Sequence, residues 1–306
     1  VVYKQSARSI KVTQHLEYGL LLKLLIWRSI DVFTKMVCRI GHPKWRPPRV
    51  AAIKRRDGWQ LRHCWQYLLS DAVMPEGRLQ RPEILCDILN QWRQELPKKI
   101  SFRLALPVQQ TLQKSLILPP DINLKEPEQS WFINASAEKQ FPFNTRELTL
   151  DYRIIEQNAY ISAARQKDLN LWLQCLAQAG IFPDAIDIAP CALRYIAQYA
   201  GVPADSWLLH RQQSGWLWVS PANAPFAYDL VSANTAASPQ QIIRQLSASS
   251  MAEQPVYYSS YQQEDLPEGT YSWDMLTAFR HYQPPLPIQL MEYVIAGGLA
   301  LRPDDK

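Results

Sequence analysis

Five histidines, five cysteines and a few neighbouring carboxylates are the residues with chemistry to offer. His15, His42, His63, His210 and His281 stand far apart, and no H-E-x-x-H spacing puts two imidazoles on one helix face. Cys38, Cys64, Cys86, Cys175 and Cys191 include no C-x-x-C pair. Neither a metal site nor a disulfide framework is expected, and the thiols read as small buried apolar side chains in a reducing compartment. The sequence lacks G-x-S-x-G, G-x-x-x-x-G-K-[ST] and G-x-G-x-x-G, so a nucleophile elbow, a P-loop and a dinucleotide fingerprint are all missing. Paired carboxylates such as Glu126/Glu128 and Asp304/Asp305 lie in polar surroundings that mark them as solvated. No catalytic residue and no cofactor is expected, and the chain should work by binding.

The elements that would support such binding belong to a globular protein. Of 306 residues, 47% are hydrophobic and 20% charged, a balance that excludes disorder and permits a substantial core. The net charge of +5 is uneven: residues 1–66 hold 14 Lys/Arg against 3 Asp/Glu. A basic end can meet nucleic acid or anionic lipid, yet no aromatic run or zinc finger accompanies it. The apolar stretch Gly19–Trp27 is interrupted by Lys23 and too short to span a bilayer; an interfacial helix with Lys4, Arg8, Lys11, Lys23 and Arg28 stays open. Residues 1–35 are expected to form a non-core N-terminal extension, with Met36 as the natural start.

Beyond it, strands and helices interleave. Val50–Leu61 reads as two strands around Asp57-Gly58, and Arg81–Glu95 as a helix with Ile84, Leu85, Ile88, Leu89 and Trp92 on one face. Strands are expected at Ser101–Pro107, Leu148–Ile154, Tyr160–Ala164, Trp207–His210, Gly215–Val219 and Pro255–Tyr258. Helices are expected at Lys167–Ala179, with Gly180 as its stop, at Pro190–Ala200 and at Pro239–Ser247, and a closing helix or helix plus turn at Gln289–Arg302. The alternation gives an α/β or mixed α+β architecture.

Five segments in order carry a family resemblance: Ser101-Phe102-Arg103-Leu104-Ala105-Leu106-Pro107 with Gln110-Thr111-Leu112-Gln113-Lys114-Ser115; Ala163-Ala164-Arg165-Gln166-Lys167-Asp168-Leu169; Ile186-Asp187-Ile188-Ala189-Pro190-Cys191-Ala192-Leu193; Gln283-Pro284-Pro285-Leu286-Pro287; and Ala296-Gly297-Gly298-Leu299-Ala300-Leu301-Arg302. Over roughly residues 37–302 the chain resembles the PilM-like proteins of type IV pilus and competence systems. The resemblance implies an actin-like (ribonuclease H-like) fold of two lobes facing a cleft. Residues 36–200 would form the first lobe with an inserted subdomain, and 201–306 a second, reduced lobe with the closing helix.

In nucleotide-binding members the cleft holds ATP, which needs an acidic residue beside glycine hairpins. Here Arg39-Ile40-Gly41-His42 lacks the Asp, Trp207–Gln212 replaces Asp-x-Gly, and Tyr258-Ser259-Ser260-Tyr261 replaces paired glycines. The resemblance therefore implies a degenerate nucleotide cleft near Gly41, His42, His210, Ser259 and Ser260. It also implies a cytoplasmic scaffold that reaches the inner membrane indirectly, by holding the tail of a PilN-like inner-membrane protein within a pilus or DNA-uptake machine. Trp45, Trp131, Phe132, Trp216 and Trp218 are the aromatic candidates for that contact. Two other readings stay open: an ATP-binding assembly module, and direct nucleic-acid binding through Lys44, Arg46, Arg49, Lys54, Arg55 and Arg56, which is not the expected mode.

Overall fold

A computed structural model describes residues 30–35, 48–66, 73, 78–97, 100–119, 127–141, 144–155, 157–233, 235, 238–249 and 254–303. The first sheet is assembled from β1 (Ile30–Lys35), β2 (Pro48–Arg55), β3 (Gly58–Gln66), β4 (Ile100–Leu106) and later segments, with α1 (Pro82–Glu95) between β3 and β4. An excursion follows: β5 (Thr111–Ile117), α2 (Glu128–Ala137), β6 (Leu148–Ile155) and β7 (Asn158–Arg165). The chain returns through α3 (Gln166–Gln178), β8 (Ala185–Ile188) and α4 (Ala189–Tyr199). A second unit holds β9 (Trp207–Gln212), β10 (Gly215–Val219), β11 (Tyr228–Ser232), α5 (Pro239–Ser249), β12 (Val256–Ser260) and β13 (Thr270–Ser272). Finally β14 (His281–Tyr282) and α6 (Val294–Ala300) close the chain.

The first sheet has the order β14-β3-β2-β1-β4-β8 and the second β11-β10-β9-β12-β13. Without β14 the two orders are the same, third-second-first-fourth-fifth. In both, the first three strands are antiparallel, and the last two run parallel to the first. The excursion makes a separate antiparallel sheet, β5-β7-β6.

Packing follows from strand alternation. Phe102, Leu104 and Leu106 of β4 face α1 and α3, where Leu85, Leu89, Trp92, Trp172 and Leu176 complete one core. The spacing of Leu85, Leu89 and Trp92 gives α1 one buried stripe. Val50, Ala52 and Leu61 face the other side, against Leu193 and Ile196 of α4 and Ile295 and Leu299 of α6. A sheet with parallel strands covered on both faces is the stable solution for such runs. Gly180 ends α3 at φ 65°, with Ile181 N–H bonded to Leu176 O at 2.8 Å, a left-handed cap that favours glycine.

Two expected boundaries are corrected. Ile30–Lys35 is not outside the core: β1 lies in the middle of the first sheet, with Val32 paired to Ala51 on one side and Phe102 on the other. Without it β2 and β4 have no strand between them. The remainder of the expected extension, 1–29, lies outside the described residues. The second correction concerns the end of the chain. β14 pairs with β3 (His281 opposite Gln60) and α6 packs on the first sheet, so the closing segment belongs to the first lobe. Among the described residues no helix is long and apolar enough to cross a membrane.

Candidate functional site

The inserted sheet has two unlike faces because strand side chains alternate. Leu112, Leu116, Ile161, Ala163 and Leu150 pack under α2 with Ile133 and Ala137. The other face carries Thr111, Gln113 and Ser115 of β5, Tyr160 and Ser162 of β7, and Asp151 and Arg153 of β6, aligned by register. This face looks onto residues 225–230 at the start of β11. Between them lies a groove of about 610 Å³, whose lining includes Val108, Tyr160, Phe226, Tyr228 and Leu230. Lys114 and Asp229 also line it, and both are exposed.

The walls are held in place. Thr111 Oγ1 and Tyr228 Oη are 3.2 Å apart, and Gln113 Nε2 donates to Phe226 O at 2.5 Å. Ser220 Oγ donates to Pro225 O at 2.7 Å and accepts from Ala227 N–H at 2.8 Å. The Arg194 guanidinium donates to Ser220 O and Pro221 O and covers the Phe226 ring at 4.6 Å. Burial pushes the Tyr228 phenol up to about 12, so it is a hydroxyl at neutral pH. Arg153 faces Tyr195 and Asp187. Asp187 Oδ2 accepts from Tyr195 Oη and Arg302 Nε, each at 3.0 Å, which ties β8 to the middle of α4 and to the segment just after α6.

Among the described residues β5 and β11 are both outermost strands, each paired on one side only. Their remaining backbone groups can pair with an extended chain, and the apolar and aromatic lining can take alternate side chains.

The sequence-derived candidates do not converge on it. Gly41, His42 and Trp45 lie outside the described residues. His210 is buried, its Nδ1 2.9 Å from Ser259 Oγ on the neighbouring strand, and Ser260 Oγ accepts from Gln262 N–H. Next to them Glu264 pairs with Arg211 and accepts from Tyr258 Oη at 2.6 Å. Burial works against the Glu264 carboxylate, but hydrogen bonds from Ser260, Tyr258 and Gln262 and the Arg211 charge outweigh it, and its pKa falls below the ordinary value. Gly215, at φ 148°, opens β10 so close to Val231 O that no side chain fits.

The other aromatic candidates lie apart from the groove. Trp216 is 4% exposed and packs under α5 with Ile242 and Leu246. Trp218, on the same strand face, is half-buried against Trp207 at 5.8 Å. Phe132 packs against the core of the inserted sheet. Trp131 is 65% exposed, but its helix covers the sheet face turned away from the groove. The residues that do form the groove had two weak signals in the sequence: the Gln110–Ser115 run, and the alternation of Phe226, Tyr228 and Leu230.

The fold matches solved structures at low identity. One is the "PilM-PilN type IV pilus biogenesis complex", with TM-score 0.68, 17% identity, 90% of this chain and 98% of that chain covered. Another is the cytoplasmic domain of EpsL, an inner membrane component of the type II secretion system of Vibrio cholerae, with TM-score 0.54, 13% identity, 87% and 94% covered. No curated protein sequence matches the chain. The fold is actin-like, as the two sheets of shared strand order require. Residues 49–203, which run from β2 of the first sheet through the inserted sheet to just past α4, match the family described as "Type IV pilus assembly protein PilM", and the chain belongs to that family.

Proposed function

We propose that this protein is a non-catalytic scaffold on the cytoplasmic side of a pilus-like machine. It holds the tail of a PilN-like inner-membrane protein as an extended peptide in the groove between β5 and β11. The observation that carries this reading is the pair of outermost strands facing one groove with an apolar, aromatic lining. Backbone pairing supplies affinity there and side-chain pockets supply selectivity, so no catalytic residue is required. Ordering the tail offsets part of the gain, and micromolar affinity, about −8 kcal/mol, is expected.

The reading extends to nucleotide and cargo. The polar side chains His210, Ser259, Arg211 and Glu264 satisfy one another, which supports a scaffold that works without ATP. The five sequence segments resemble the DNA utilisation protein HofM, which supports external DNA used as a nutrient as the proposed cargo.

Calorimetry on the full chain tests these points together. The tail peptide should bind at micromolar concentration, Tyr160→Ala should weaken it at least tenfold, about 1.4 kcal/mol, and Mg-ATP should give no heat. Equal affinity in the variant, or no binding to the wild type, removes the groove reading. Micromolar ATP binding would favour the assembly-module reading.

A further inference from the structure

The turn joining β2 to β3 carries a cationic corner that the groove does not use. Lys54 and Arg56 are exposed beside Asp57 and Gly58. Arg280 adjoins them: its N–H bonds to Trp59 O at 2.9 Å, and its side-chain stem lies over Gly58. Arg55 is half-buried and donates to Gln60 at 2.9 and 2.6 Å. The one carboxylate in the turn, Asp57, is taken by His281, with Nε2 2.7 Å away. Tyr282, next along β14, is exposed. The sheet hydrogen bonds of β2, β3 and β14 place these residues at one end of the sheet, where β1 and β4 begin. The groove is reached from the other end of β4.

We propose that this corner, Lys54, Arg56 and Arg280 with Tyr282 at its flank, is a direct contact for the anionic headgroups of a membrane. Three exposed cations around one turn complement a plane of phosphates, and an exposed tyrosine suits the headgroup level. A nucleic-acid duplex instead needs cations tracking its backbone over several phosphates, and the corner is one turn wide. The contact would act beside a bound membrane partner, since two weak attachments together hold a protein at a bilayer where one does not.

Sedimentation of the full chain with vesicles tests it. Wild-type protein should partition onto mixed phosphatidylcholine–phosphatidylglycerol vesicles, less so as salt rises, and not onto phosphatidylcholine alone. Each cation removed should weaken binding about fivefold. Lys54→Gln, Arg56→Gln and Arg280→Gln combined should therefore cost about a hundredfold, while thermal unfolding stays that of the wild type. The single variants give a graded series should the triple one misfold. Tyr160→Ala in the groove should bind vesicles normally, which separates this surface from tail docking. Wild-type protein that ignores anionic vesicles, or variants that bind them as well as wild type, would overturn the proposal. So would duplex DNA that displaces the protein from vesicles at equal phosphate, which would assign the corner to nucleic acid.

Discussion

At Gly298 helix α6 runs so close to α4 that a side-chain methyl would overlap the carbonyl of Ala192. Gly297 is nearly as confined, with Ile196 Cδ1 at 2.7 Å from the place of its absent Cβ. The pair lets two helices meet almost backbone to backbone above the first sheet. Gly298→Ala is expected to lose about 1–3 kcal/mol through overpacking, seen as a lower urea midpoint at unchanged slope. An unchanged midpoint would mean the helices stand further apart. Arg103 reinforces the same region: its Nη1 donates to Leu299 O at 3.3 Å and Arg302 O at 2.5 Å. A buried cation bonded to the last carbonyls of α6 also satisfies groups that a helix end leaves without partners.

Among the elements, β1 is where sequence and structure part most clearly. With parallel β4 on one side and antiparallel β2 on the other, it cannot be spared. Truncation to Met36 is expected to abolish cooperative unfolding, measured by thermal scanning, and a truncated chain that melts like the full one would show β1 to be dispensable. Most of the other elements were legible. Pro82 and Pro97 bracket α1, Gly180 stops α3, and Asp57-Gly58 marks the β2–β3 turn, because each of these residues restricts or frees the backbone locally. β1 was hidden by its surroundings: Ile30–Lys35 is short, carries charges at both Asp31 and Lys35, and depends on partners far along the chain. β5 and β11 were missed for a related reason. Their polar Gln113, Lys114, Ser115 and Asp229 belong to outermost strands beside a groove, where alternation into a core is weakest. The groove was therefore illegible, since it exists only after two distant strands are brought face to face. Trp216 shows the opposite error: a large aromatic in a strand is more often core than interface, and burial under α5 is where it ended.

For the molecule as a whole, two sheets of one strand order share a core through α4 and α6, and the inserted sheet leans over the second lobe with a groove between. The groove thus spans parts of the chain far apart in sequence, β5 and residues 225–230. A bound tail would bridge them and couple the inserted sheet to the second lobe. Hydrogen exchange with and without a PilN-like tail peptide shows whether an extended tail pairs with these outermost strands. Amide exchange is expected to slow together in Thr111–Ile117 and Tyr228–Ser232 when the peptide is added. Saturating peptide that slows exchange in neither strand, or only in the cleft around His210 and Ser259, would contradict it.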